Sequence, residues 1–175
     1  MTFEIRSDIT NRSMAIASRA MRRVLRRKRS IIWAIYGWSV FFINALLLLI
    51  PFDGEPFTLD ASTVISLLVE VMLLSVLLFQ DRFNGMIACK NTLAGTKDYH
   101  IVFGEESYTV ITEVTTSTFR YELIDAMAES QDYMILLMKK RFAQPLDKRT
   151  LTGGTVEDCK RFLEEKTGKK FRRVK

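Results

Sequence analysis

Two long apolar runs decide what this chain can fold into. The first, Ile31–Ile50, contains no charged residue, and its ~20 residues at ~1.5 Å rise each cover the ~30 Å hydrocarbon core of a bilayer. The second, Thr63–Phe79, has a spanning length of about 17 residues, at the short end of the usual range. The sequence predicts a two-helix transmembrane hairpin, with spans 31–50 and 62–79 and an outside loop 51–61. The alternative is that both runs are core helices of a soluble domain.

The second run contains one carboxylate, Glu70. A charged side chain at mid-membrane costs about 3 kcal/mol on an insertion scale, whereas the surrounding apolar residues return about 4–7 kcal/mol, so the helix is still expected to insert. Counting the helical rise inward from Ile50 and from Thr63 places Asn44 and Glu70 at nearly equal depth. We expect a hydrogen bond between them, across the hairpin or across a homodimer. An ion or proton pathway is the alternative use of Glu70.

The charge distribution predicts the orientation of the hairpin. The formal net charge is +6, but residues 1–30 contain nine Lys or Arg and two acids, and residues 31–79 contain four acids and no base. Because Lys and Arg beside a span stay on the cytoplasmic side, both termini are predicted to be cytoplasmic. The basic residues just before the first span are also predicted to contact anionic lipid; they are Arg22, Arg23, Arg26, Arg27, Lys28 and Arg29. A secretory signal and a nucleic-acid-binding segment are the alternatives for this stretch.

The remaining segments predict an α+β membrane protein with its folded part in the cytoplasm. Residues 1–30 are expected to form a short strand, Thr2–Ile9, and a basic amphipathic helix that packs either on lipid or on the cytoplasmic domain. Residues 80–96 are expected to form a helical connector. Residues 97–175 alternate with period two and predict four or five antiparallel strands, a closing helix and a frayed basic tail, partly like a pleckstrin-homology domain. The predicted elements are strands at 99–103, 108–112, 119–123, 133–138 and an edge strand Arg141–Leu146, the helix Thr155–Thr167 and the tail Lys169–Lys175.

The sequence offers little catalytic or metal-binding chemistry. His100 is the single histidine, and Cys89 and Cys159 are seventy residues apart with no metal-ligand spacing. Phosphate-binding, hydrolase and zinc-protease motifs are absent. We therefore expect no enzymatic activity, no cofactor and no metal.

The chain resembles the YcxB-like family of bacterial membrane proteins. That family has a basic amphipathic N-terminus, two adjacent spans and a small β-rich cytoplasmic domain, and the resemblance implies this plan here. It implies no reaction, because the family has none established. The matching C-terminal positions are Phe119, Tyr121, Ile124, Glu129, Tyr133–Met138, Lys148, Gly153-Gly154 and Thr155–Thr167.

These observations favour a multi-pass protein of the bacterial cell membrane. The favoured hypothesis is a non-enzymatic, membrane-tethered interaction module whose partners are membrane lipids and an unidentified protein, with no nucleic acid. The alternative hypothesis is a small oligomeric transport or channel subunit that uses Glu70.

Overall fold

The computed structural model describes residues 2–49, 61–138 and 142–174, and over these it has an α+β fold. The predicted outside loop lies outside the described residues, apart from Ala61, with which a helix begins. The helices are α1 (Asn11–Val24), α2 (Arg27–Leu49), α3 (Ala61–Lys90) and α4 (Val156–Thr167). The strands are β1 (Phe3–Asp8), β2 (Asp98–Phe103), β3 (Ser107–Thr112), β4 (Thr116–Arg120), β5 (Ile124–Glu129), β6 (Tyr133–Met138), β7 (Phe142–Asp147) and β8 (Phe171–Arg173).

Helices α2 and α3 are long and apolar enough to cross a membrane. No residue in the most apolar stretch of α2 is buried within the protein, and only 6% of the most apolar stretch of α3 is buried. Large apolar side chains such as Ile32 (66% exposed) and Met72 (66% exposed) point away from the rest of the chain. A core helix of a soluble domain would bury its apolar faces, so the soluble-core alternative does not describe these two helices.

The β-rich part forms two four-stranded sheets, where the sequence predicted one sheet of four or five strands. The first has the order β1-β2-β3-β4 and is antiparallel; the second has the order β7-β6-β5-β8. The predicted strand over residues 119–123 is interrupted, because Tyr121–Leu123 forms a 3₁₀ turn between β4 and β5. The chain crosses from the first sheet to the second at this turn. The strands therefore form two sheets instead of the single sheet that was predicted.

The C-terminal segment is part of the second sheet. Strand β8 pairs in parallel with β5, and the Val174 N–H donates to the Glu129 carbonyl oxygen at 2.7 Å. The Val174 side chain is buried. The prediction of a frayed tail is therefore wrong for the described residues up to 174, because β5 offers β8 an edge to pair with.

The main core lies between the two sheets and α4. Strand β6 is buried at all six positions, as its unbroken apolar sequence predicts, and β7 is an edge strand that accommodates Pro145. Helix α4 begins directly after Thr155, the first residue of the predicted helix, whose hydroxyl accepts from the Asp158 N–H in a capping box. Its buried residues Cys159 and Leu163 join the core.

Helix α1 packs on the second sheet. Its small residues Ala17 and Ala20 are fully buried in a cluster with Tyr133, Ile135 and Leu137. Of the two placements that the sequence left open, packing on the β-rich domain is therefore the one observed. The single helix expected to run from Asn11 to about Ser30 is two helices, α1 and the start of α2, separated by a short turn.

Candidate functional site at the helix junction

Asp81 connects α1 to α3 just beyond the apolar part of α3. Its carboxylate is 8% exposed and accepts two hydrogen bonds from Arg22, Nε to Oδ1 at 2.9 Å and Nη2 to Oδ2 at 2.5 Å. Arg19 Nε donates to Oδ2 at 3.4 Å. The hydrogen bond to Asp81 raises the pKa of Arg22, although burial acts in the opposite direction. A bidentate guanidinium–carboxylate pair of this kind fixes orientation as well as adding energy.

Gly85 brings the two helices into backbone contact one turn further along α3. A Cβ at this position would lie 2.4 Å from the Ala15 backbone nitrogen, so a larger residue requires the helices to separate. We call Ala15, Arg19, Arg22, Asp81 and Gly85 the helix junction. Sequence reasoning did not identify Asp81 or Gly85. The available signal was an acid and a glycine four residues apart, on one face of a helix that follows an apolar run.

A cavity of about 400 Å³ opens beside the helix junction, where α1, α2 and α3 meet. We call it the basic pocket, because three arginines and no carboxylate line it. Three of the six basic residues predicted to contact lipid are in this lining; Arg23, Arg27 and Lys28 are not. The lining residues are Ser18, Met21, Arg22, Arg26, Arg29, Ser30, Trp33, Gln80 and Asn84.

Among the described residues, no hydrogen bond joins Asn44 to Glu70, and a bond between them across a homodimer stays a prediction. Asn44 Nδ2 donates to the Val40 carbonyl oxygen at 2.9 Å, and Glu70 Oε1 is buried without a hydrogen-bond partner among the described residues. The helices touch at Gly37, where a Cβ would lie 2.6 Å from Leu77 Cδ2. Asn44 lies two turns after Gly37 on α2, and Glu70 lies two turns before Leu77 on α3. The two polar residues are therefore at the same level of the hairpin.

A second feature is an apolar groove of about 370 Å³ between β7 and the segment that follows α3. We call it the β7 groove. Leu93 and Phe142 line it and are 76% and 53% exposed. Gln144 also lines it; this residue is only 4% exposed, and its Oε1 is buried without a hydrogen-bond partner among the described residues. A buried amide oxygen without a donor is uncommon, because it costs the desolvation of that oxygen.

The histidine and the two cysteines are held within the fold. His100 Nε2 lies 3.1 Å from Glu4 Oε2, and Cys89 Sγ lies 3.6 Å from the Ile9 carbonyl oxygen. Cys159 is fully buried, and burial raises the pKa of its thiol to about 12. Over the described ranges, no three His, Cys, Asp or Glu side chains form a group that could hold a metal ion.

Glu129 forms the most connected ion-pair group in the β-rich domain. Lys148 Nζ donates to its Oε1 at 2.6 Å, and Lys160 Nζ donates to its Oε2 at 2.7 Å. Burial alone would raise the pKa of Glu129, but the two lysines outweigh it, and the pKa is lowered. The group ties β5 to α4 and to the end of β7, which is a structural use.

Comparison with known proteins gives one match. Residues 103–163 match the model of the family described as YcxB-like protein, so the resemblance found in the sequence is confirmed for this part of the chain. The match runs from the last residue of β2 into α4. No curated protein matches, and no solved structure matches. The hairpin, the helix junction and the basic pocket all lie before the matched region.

Proposed function

We propose that this protein is a non-enzymatic interaction module anchored in the bacterial cell membrane by α2 and α3, with both termini in the cytoplasm. The supporting observation is that two helices of spanning length expose their apolar faces while the rest of the chain folds into a β-rich domain. The basic residues at the start of α2 and the absence of Lys and Arg from residues 31–79 support the orientation.

The helix junction supports the idea of a rigid anchor. Helix α3 is continuous from Ala61 to Lys90, and its far end packs against α1 through Asp81 and Gly85. Helix α1 in turn packs on the second sheet. In this proposal the β-rich domain is held at a fixed position under the membrane.

The β7 groove is the surface that we assign to the partner. Its exposed apolar rim suits a protein segment that inserts an apolar side chain. Such a segment would bury the rim.

A photo-crosslinking experiment in cells tests this role. A photoreactive residue in place of Phe142, at the groove rim, is expected to capture a discrete protein partner. The matched control replaces Val114, which is 59% exposed but is not a lining residue of the groove. Equal capture from both positions, or no capture from either, would contradict the assignment.

An oligomeric transport or channel subunit is the second candidate function. The observation in its favour is Glu70, whose Oε1 is buried in the hairpin without a partner among the described residues. A ring-like oligomer in detergent, together with an ion flux in vesicles that Glu70→Gln abolishes, would favour the channel. A monomer or dimer without flux favours the interaction module.

A further inference from the structure

We propose that the basic pocket binds the phosphodiester headgroup of one anionic phospholipid. This inference rests on the proposed function, since it requires that α2 and α3 be inserted in a bilayer. It goes further than a general attraction of basic residues to lipid, because it assigns a single site with defined ligands.

The position of the pocket fits a headgroup. Arg29 and Ser30 are the last polar residues before the apolar run that begins at Ile31, and Gln80 is the first polar residue after Phe79. The pocket is lined from both sides of this boundary. With the hairpin inserted, the lining lies at headgroup depth in the cytoplasmic leaflet, where anionic lipids attract basic groups.

The charge of the pocket fits a phosphodiester. Three arginines and no carboxylate line it, and Asp81 in the neighbouring helix junction is bonded to Arg22. The formal charge of these four groups is positive even with Asp81 included. Because Asp81 holds the Arg22 guanidinium in place, less side-chain freedom is lost when the remaining N–H groups of Arg22 bind an anion.

Neutral donors and an aromatic ring complete the pocket. Gln80 and Asn84 are four residues apart on α3, so their amides lie on one face. Trp33 is 60% exposed at the start of the apolar surface of α2. Its ring suits the boundary between headgroup and acyl chain, and the chains of the bound lipid would continue along the exposed surface of α2.

The chain offers charge-matched controls for this site. Arg27 and Lys28 stand beside Arg29 in the sequence and carry the same charge, but they are not lining residues. A general electrostatic attraction would weaken equally when any of the three is neutralised, whereas a defined site would respond to Arg29 alone.

The test uses the full chain reconstituted in nanodiscs of phosphatidylcholine with or without phosphatidylglycerol, followed by native mass spectrometry of the lipid retained. Wild type is expected to retain one phosphatidylglycerol in preference to phosphatidylcholine. Arg29→Gln and Asn84→Leu are expected to weaken this retention by about tenfold. Arg27→Gln and Lys28→Gln are expected to change it by less than about twofold, because exposed charges outside the site contribute little.

Three results would overturn the proposal. The first is an equal loss of phosphatidylglycerol retention in Arg27→Gln and Arg29→Gln. The second is protein that inserts but shows no preference for phosphatidylglycerol over phosphatidylcholine. The third is binding of soluble glycerophosphoglycerol as tight as that of phosphatidylglycerol. If the protein does not insert in any nanodisc, the proposed function fails first and this inference fails with it. Insertion is scored separately, by co-purification with the nanodisc scaffold, so the two failures are distinguishable.

Discussion

Asp81 is the residue on which the connection between the apolar helices and the β-rich domain depends. Its carboxylate is almost fully buried, and Arg22 satisfies both of its oxygens. Breaking such a pair by removing one member leaves the other charge without compensation, which costs more than the pair itself contributes.

Asp81→Asn is therefore expected to destabilise the protein by about 1–3 kcal/mol, since the charged acceptor is lost while water still reaches the Arg22 side chain, which is 29% exposed. The measurement is the midpoint of thermal unfolding of the detergent-solubilised chain. Glu122→Gln, an exposed change in the 3₁₀ turn, is the control and should leave the midpoint unchanged. An Asp81→Asn midpoint equal to that of the control would show that the junction does not depend on this pair.

Glu129 gives a pH-dependent prediction. Because its folded-state pKa is lowered from the ordinary value of 4.5, its contribution to stability is present above that value and is lost as the pH falls through the folded-state pKa. Glu129→Gln is expected to lower the unfolding midpoint at pH 7, where Lys148 and Lys160 lose a charged acceptor. The difference from wild type should shrink only below pH 4.5, as the pH falls through the lowered folded-state pKa and the wild-type carboxyl also becomes neutral.

The control for this series is Glu165→Gln, an exposed change on α4. Its effect on the midpoint should be small at every pH. A Glu129→Gln difference that was already lost while the pH was still above 4.5 would contradict the lowered pKa of Glu129.

At the scale of elements, the contacts of α3 differ along its length. Near its middle it meets α2 at Gly37, where the nearest atom to a new Cβ is the flexible end of Leu77. Near its end it meets α1 at Gly85, where the nearest atoms belong to the backbone of Ala15. A side chain can rotate away from a methyl group, but a helix backbone has to move as a unit.

Gly85→Ala is accordingly expected to cost about 1–3 kcal/mol, by forcing α1 and α3 apart. Gly37→Ala is the matched change and is expected to cost less, because Leu77 can adopt another rotamer. Both are measured as shifts in the unfolding midpoint. A larger loss from Gly37→Ala than from Gly85→Ala would reverse the order that the two contacts predict.

The sequence predicted elements well where a pattern was local. The two apolar runs, strand β6 and the edge strand with Pro145 were each predicted from one continuous stretch of sequence. Strand β8 was missed, because it is only three residues long and pairs with β5 across more than forty residues. Strand β5 was missed, because its sequence carries no clear alternation. The 3₁₀ turn was missed because Tyr121 and Leu123 continue the alternation of β4 in sequence but not in structure.

The site was harder to predict than the fold. The basic residues before α2 were recognised as a group, but only three-dimensional packing separates the pocket-lining Arg22, Arg26 and Arg29 from their neighbours. Asp81 and Gly85 act through α1, which is more than fifty residues away in the chain. Long-range pairing of this kind leaves no mark on a single sequence.

At the scale of the whole molecule, two parts with opposite surface character are joined through one junction. The β-rich domain buries its apolar residues between two sheets, and the two apolar helices expose theirs. The likeness to a pleckstrin-homology domain stays a prediction. The placement of the exposed helices in a bilayer is the claim on which the anchoring role, the orientation and the lipid site all depend.

Labelling of single cysteines in intact cells tests that claim most directly. Asp53→Cys, outside the described residues, and Glu165→Cys, on α4, are each introduced in a Cys89→Ala background; the remaining Cys159 is fully buried. A membrane-impermeant maleimide is expected to label Asp53→Cys in intact cells and Glu165→Cys only after permeabilisation. Labelling of Glu165→Cys in intact cells, or recovery of the protein in the soluble fraction without detergent, would contradict the account.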